Sequence, residues 1–86
     1  MPDYRVTFAR SARKELEILD DPIVRRIFPK IEGLAKLPRP AGCSKLQGGN
    51  NLWRIRIGDY RVVYTVDDHK MQVDVVAVRH RKEAYQ

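Results

Sequence analysis

Between Leu52 and Tyr64 apolar and polar positions alternate in two runs that meet at Gly58-Asp59. Period-two alternation on both sides of a two-residue step containing glycine predicts a β-hairpin. Closing it there pairs Ile57 with Tyr60, Arg56 with Arg61, Ile55 with Val62, Arg54 with Val63 and Trp53 with Tyr64. Because successive side chains of a strand point to opposite faces, Trp53, Ile55, Ile57, Tyr60, Val62 and Tyr64 make a core face. Arg54, Arg56 and Arg61 share the other face, with Arg56 directly opposite Arg61. Like charges opposed across strands cost roughly a few tenths of a kcal/mol. An anionic ligand, phosphate above all, would relieve that cost.

The remaining patterns supply the elements around this hairpin. Tyr4 to Phe8 alternates with Tyr4, Val6 and Phe8 on one side, which predicts a first strand. From Ala9 to about Leu19 the spacing becomes helical, with Ala12, Leu16 and Leu19 on one stripe and Arg10, Arg13, Lys14, Glu15 and Glu17 mostly solvated. Asp20-Asp21-Pro22 is a stop and restart, in which Asp21 can cap and Pro22 can take the first helical position. The second helix buries Ile23, Ile27, Ile31 and Leu34, with Val24, Phe28 and Ala35 alongside, and ends before Pro38. Pro29 falls inside it. An interior proline costs about 3 kcal/mol, so a kink or a break is expected there. Residues 38–51 read as an irregular connection holding Ser44-Lys45-Leu46 and the loop Gln47-Gly48-Gly49-Asn50. After a turn at Asp67-Asp68-His69-Lys70, the run from Met71 to Val78 places Val73, Val75 and Ala77 on the core face, and Gln72 and Asp74 on the basic one. The order predicts an α+β fold: an N-terminal strand, two helices, and a C-terminal antiparallel meander forming one sheet packed on the helices. The second sheet face stays open to a ligand.

Length and charge narrow the function. Eighty-six residues make a single domain, 1–86. Seventeen Lys plus Arg against eleven Asp plus Glu give a formal charge of +6, which suits a polyanion or an acidic protein partner. One cysteine, Cys43, cannot form an internal disulfide and fits a reducing, cytoplasmic setting. Asp3, Arg5 and Arg10 interrupt any apolar leader, and no apolar run is long enough to span a membrane, so no membrane role is expected. Past Val78 come Arg79, His80 and Arg81, then Tyr85. Their position at the end of the last strand lets them converge with Arg54, Arg56 and Arg61 on one concavity. A ring for a base and cations for the backbone is what single-stranded RNA requires.

In these residues the chain resembles the RelE/ParE superfamily of type II toxins, and within it the RelE-like mRNA interferases. The resemblance runs from the opening strand through Lys45-Leu46-Gln47-Gly48 and the Leu52–Tyr64 hairpin to His80-Arg81 and Tyr85. It implies a RelE-like microbial RNase fold, metal-independent and without cofactor, that cuts mRNA in the ribosomal A site by attack of the ribose 2′-OH on the adjacent phosphate. It also implies neutralisation by a RelB-like antitoxin. The family's two basic strand positions match Arg54 and Arg56, its transition-state arginine matches Arg61, its second arginine Arg81, and its catalytic tyrosine Tyr85. Lys45 and Arg79 add substrate-binding cations.

The residues suit parts of this chemistry unequally. Arginine forks match the non-bridging phosphate oxygens. Well-known members carry lysines where this chain has Arg54 and Arg56, and a guanidinium keeps its proton, so these two can hold charge but cannot act as bases. Proton transfer is left to Tyr85, a phenol of ordinary pKa about 10 that neighbouring arginines could lower towards service as a base, or to His80, since histidine is the side chain that ordinarily exchanges a proton in the useful range. His69, with Asp67 and Asp68 in a polar turn, reads as solvent-exposed. Two other classes share the fold: a ParE-like poison of DNA gyrase, and a non-catalytic RNA-binding or regulatory module. The +6 charge, with Val24, Phe28 and Ala35 on a helix, also suits an acidic or amphipathic partner helix.

Overall fold

The computed structural model describes residues 3–47 and 51–80. At its centre β3 (Leu52–Ile57) and β4 (Tyr60–Asp67) form the expected hairpin, with all five anticipated pairs in register and Leu52 opposite Thr65 in addition. Gly58 closes it at φ +60°, the positive angle that the first residue of a II′ turn requires. Ile55, Ile57, Val62 and Tyr64 are buried, and Trp53 and Tyr60 pack beside them.

Three further strands complete a five-stranded sheet of order β1-β5-β4-β3-β2. The last strand, β5 (Gln72–His80), runs antiparallel to β4, and β1 (Arg5–Phe8) joins its far side in parallel, so the sheet is mixed. Within the connection expected to be irregular, β2 (Ser44–Lys45) pairs with Arg54 and Trp53 of β3. Two residues are too few for alternation to announce a strand; β2 exists because β3 offers an edge.

Helices α1 (Arg10–Glu17) and α2 (Asp21–Gly33) cover the apolar face. Ala12 of α1 and Ile27 and Ile31 of α2 are fully buried, with Leu34 just past the helix end; Leu16, Leu19 and Ile23 are packed against this core. Phe28 is partly exposed, its ring stacked on Phe8 at 6.1 Å. The cap expected at Asp21 falls one residue earlier: Asp20 is the N-cap, without a side-chain bond, and Asp21 and Pro22 open the helix. Nor is α2 broken at Pro29. That residue lies on the exposed side, where the carbonyl it cannot serve can turn to water, so the local cost does not outweigh the burial of Ile27, Ile31 and Leu34.

Strand β5 departs from simple alternation. Val75 pairs with Tyr64 but Ala77 pairs with Val63, so Val76 is an extra residue, a β-bulge. From there parity inverts. Val78, opposite Val62 and 3% exposed, is the core residue, and Ala77, expected in the core, faces outward with Asp74. A bulge leaves the apolar run Val75-Val76-Ala77-Val78 unchanged in composition, so alternation could not locate it.

The free edge of β5 beyond β1 is closed by α1. The Ala9 N–H donates to the Val75 carbonyl, the Ser11 hydroxyl to the Val76 carbonyl, and the Val78 N–H to a carboxylate oxygen of Glu15. Ser11 and Glu15, one helical turn apart, thus replace a neighbouring strand. Glu15, expected to be solvated, is half-buried for this reason.

Candidate functional site

The hairpin register and the bulge together build one cationic surface on the sheet face away from the helices. Arg56 of β3 lies opposite Arg61 of β4, and Arg61 opposite Arg79 of β5. The next outward-facing rung is Arg54, Val63 and Ala77. Leu46, Arg54, Arg61, Val63, Ala77 and Arg79 line a groove of about 360 Å³. Its floor is apolar and small, and its walls are guanidinium groups. A hollow of about 500 Å³ at the β4–β5 turn is roomier, but Asp67 and Asp68 line it, so volume alone does not mark an anion site.

Each arginine is fixed by a different local cause. Arg54, Arg56 and Arg61 face outward because their neighbours in sequence are the core residues Ile55, Ile57 and Val62. Arg79 joins them only because the Val76 bulge shifts β5 by one position. Among the described residues Arg54 and Arg56 have no ion-pair partner, whereas the Arg79 Nε–H donates to Glu15 Oε2 at 3.1 Å. At the hairpin tip Arg26 of α2 adds a further cation, its Nη1 3.6 Å from where a Cβ on Gly58 would stand.

Other sequence-predicted residues fall elsewhere. His80 pairs with Tyr60, ring edge to ring face at 5.2 Å, on the helix side of the sheet. It does not share the face of Arg61 and Arg79, because the bulge that turns Arg79 outward turns His80 inward. Lys45 pairs with Trp53 and sets its Nζ 5.9 Å from that ring, also on the helix side, while its neighbour Leu46 lines the groove. Arg81 and Tyr85 lie outside the described residues. Asp74 faces outward, as expected, and accepts a hydrogen bond from the Thr7 hydroxyl at 2.8 Å. His69 is exposed in its turn, as read from the sequence.

A second polar cluster had no signal in the sequence. Asp68 accepts a 2.6 Å hydrogen bond from the Tyr4 hydroxyl and two from Arg39, whose Nη2 lies 2.9 Å from Oδ2. The Arg39 guanidinium also lies over Trp53 at 5.0 Å. Arg39 lowers the Asp68 pKa, and the bond to Asp68 raises that of Tyr4. Tyr64 is fully buried and donates to the Pro38 carbonyl at 2.7 Å; burial pushes its phenol well above the ordinary value, so it remains neutral. These groups tie the start of β1, the connection after α2 and the β4–β5 turn together and stand apart from the groove.

The small α+β fold that carries this arginine face is shared with known toxins. The sequence model of the family described as "ParE toxin of type II toxin-antitoxin system, parDE" matches residues 6–85. A putative RelE-like toxin protein of Escherichia coli is 31% identical, the match covering 95% of this chain and 90% of that one. Among solved structures, the toxin–antitoxin complex RelBE2 of Mycobacterium tuberculosis is 29% identical with a TM-score of 0.83, covering 94% of each chain. The archaeal RelE–RelB complex of Pyrococcus horikoshii is 30% identical with a TM-score of 0.79, covering 91% of this chain and 94% of that one. The chain belongs to the RelE/ParE superfamily of type II toxins.

Proposed function

We infer that the protein is the toxin of a type II toxin–antitoxin pair that cuts mRNA on the ribosome in the cytoplasm. The observation that carries this reading is the rung of Arg56, Arg61 and Arg79 beside Arg54 on one groove. Three guanidinium groups abreast, one of them held by Glu15, present planar donor forks that match phosphate oxygens, and they suit a phosphodiester backbone. Attack of a ribose 2′-OH on the adjacent phosphorus forms a 2′,3′-cyclic phosphate and expels the 5′-oxygen, which leaves as a hydroxyl once protonated. In this reading Arg61 and Arg81 hold the charge that builds on the non-bridging oxygens, and Arg54 and Arg56 hold the flanking backbone. Tyr85 handles the proton, since an arginine cannot release one. The relatives named RelE toxins, and those solved as RelE–RelB complexes, support a RelB-like antitoxin as partner.

The experiment is a translation reaction on a defined mRNA with 3′ ends mapped with and without ribosomes. Cuts that appear only with ribosomes and end in a cyclic phosphate are expected, and co-expressed antitoxin should suppress them. A second reading draws on the ParE description of the matching family: poisoning of DNA gyrase. Intact mRNA together with arrested supercoiling would establish that reading and overturn the first.

A further inference from the structure

Glu15 forms an ion pair with Arg79, an arginine of the groove. Its two oxygens do separate things. Oε1 accepts the Val78 N–H at 2.9 Å, closing the edge of β5, while Oε2 holds the Arg79 Nε at 3.1 Å. The carboxylate is itself fixed, because α1 is tied to the same strand by Ser11 and Ala9, and its side chain is 23% exposed against 52% for Arg79. Gripping the guanidinium by Nε keeps its terminal nitrogens out of that bond, and Arg79 lines the groove with Arg61, its partner on the neighbouring strand.

We propose that Glu15 is a positioning residue that locks Arg79 next to Arg61, so that the two arginines form a prepared clamp for a backbone phosphate of single-stranded RNA. This rests on the function inferred above and deepens it. A free arginine side chain loses considerable rotamer entropy when it binds; one already held by a carboxylate loses less, which favours binding through preorganisation. The same carboxylate offsets repulsion along the Arg56–Arg61–Arg79 rung while no RNA is present.

The sign of the effect makes the role testable. By charge alone, removing an acid beside an RNA groove strengthens binding, because one negative charge fewer faces the phosphates. By positioning, it weakens binding. Glu15→Gln keeps one oxygen for the Val78 N–H and removes the charge that holds Arg79. With the free protein and a fluorescent single-stranded RNA oligonucleotide, anisotropy should show about 5- to 20-fold weaker binding for Glu15→Gln, by loss of a charge-assisted contact, with an unchanged thermal melt. The same substitution placed on Arg79→Ala should add no further weakening. Tighter or unchanged binding by Glu15→Gln, or equal weakening in both backgrounds, overturns the assignment. Wild-type protein that leaves ribosome-bound mRNA intact overturns the function inferred above, and with it the role of Glu15 in it. Loss of the coupling while cleavage persists overturns Glu15 alone.

Discussion

Arg61 stands in the middle of its rung, between Arg56 and Arg79, on a face that contributes nothing to the apolar core. Its removal should therefore separate chemistry from folding. Arg61→Ala is expected to lower the single-turnover cleavage rate by about 10²–10³, the usual cost of losing one preorganised donor to a developing oxyanion. Its melting curve should stay close to wild type, because substitutions outside the core usually change stability by about 0.5 kcal/mol or less. Tyr85→Phe gives the companion measurement. It keeps a stacking ring and loses the hydroxyl, so a large fall in rate with RNA binding preserved identifies proton transfer. If only Tyr85→Ala is damaging, the ring stacks on a base and the proton must be handled elsewhere.

At the scale of elements, the decisive feature is the bulge at Val76. It exchanges the faces of Ala77 and Val78 and divides Arg79 from His80, and it yields opposite outcomes for two neighbouring substitutions. Ala77→Asp places a carboxylate on the groove floor, so the protein should fold normally and lose RNA binding. Val78→Asp puts an unpaired charge into the core beside Val62, at a cost of at least about 3 kcal/mol, a large share of the roughly 5–15 kcal/mol that stabilises a domain. Circular dichroism melts and the anisotropy assay check both; uninterrupted alternation predicts the reverse pair of results. The same feature marks what the sequence could reveal. The β3–β4 hairpin was legible because isoleucine and arginine alternate around a glycine turn, and both the core face and the Arg54–Arg56–Arg61 face follow from that. Two-residue β2 and the bulge were not, since each is settled by hydrogen bonding to a neighbouring strand rather than by any local pattern. The partner of Arg79, Glu15, was hidden for a related reason: on a helix wheel it is an ordinary solvent-facing acid, and only the docking of α1 on the β5 edge turns it inward.

Across the whole molecule, the groove and the Asp68 cluster occupy different parts of the sheet, so one can be perturbed without the other. Asp68 ties Tyr4, just before β1, and Arg39, from the connection after α2, to the β4–β5 turn. These three segments are distant in sequence, and their attachment gives the fold a pH dependence with two limits. Arg39 and Tyr4 lower the Asp68 pKa below its ordinary 3.8. Its contribution is therefore full above that value and is lost as pH falls through the lower value of the folded protein. Tyr4 has the opposite sign: its bond to Asp68 raises its pKa above 10.0, so its contribution is full below that value and is lost as pH rises through the folded-state value. Asp68→Asn should consequently melt below wild type by a constant margin between about pH 5 and pH 9, with the margin closing towards pH 2 and again above pH 10. Added salt should narrow it throughout, since the pair is exposed. Thermal melts of both proteins across pH check this, because other carboxylates titrate alike in the two and cancel in the difference. A margin unchanged down to pH 2 would mean that the Asp68 side chain contributes through packing and not through its charge, whereas RNA binding at neutral pH should be the same in both proteins.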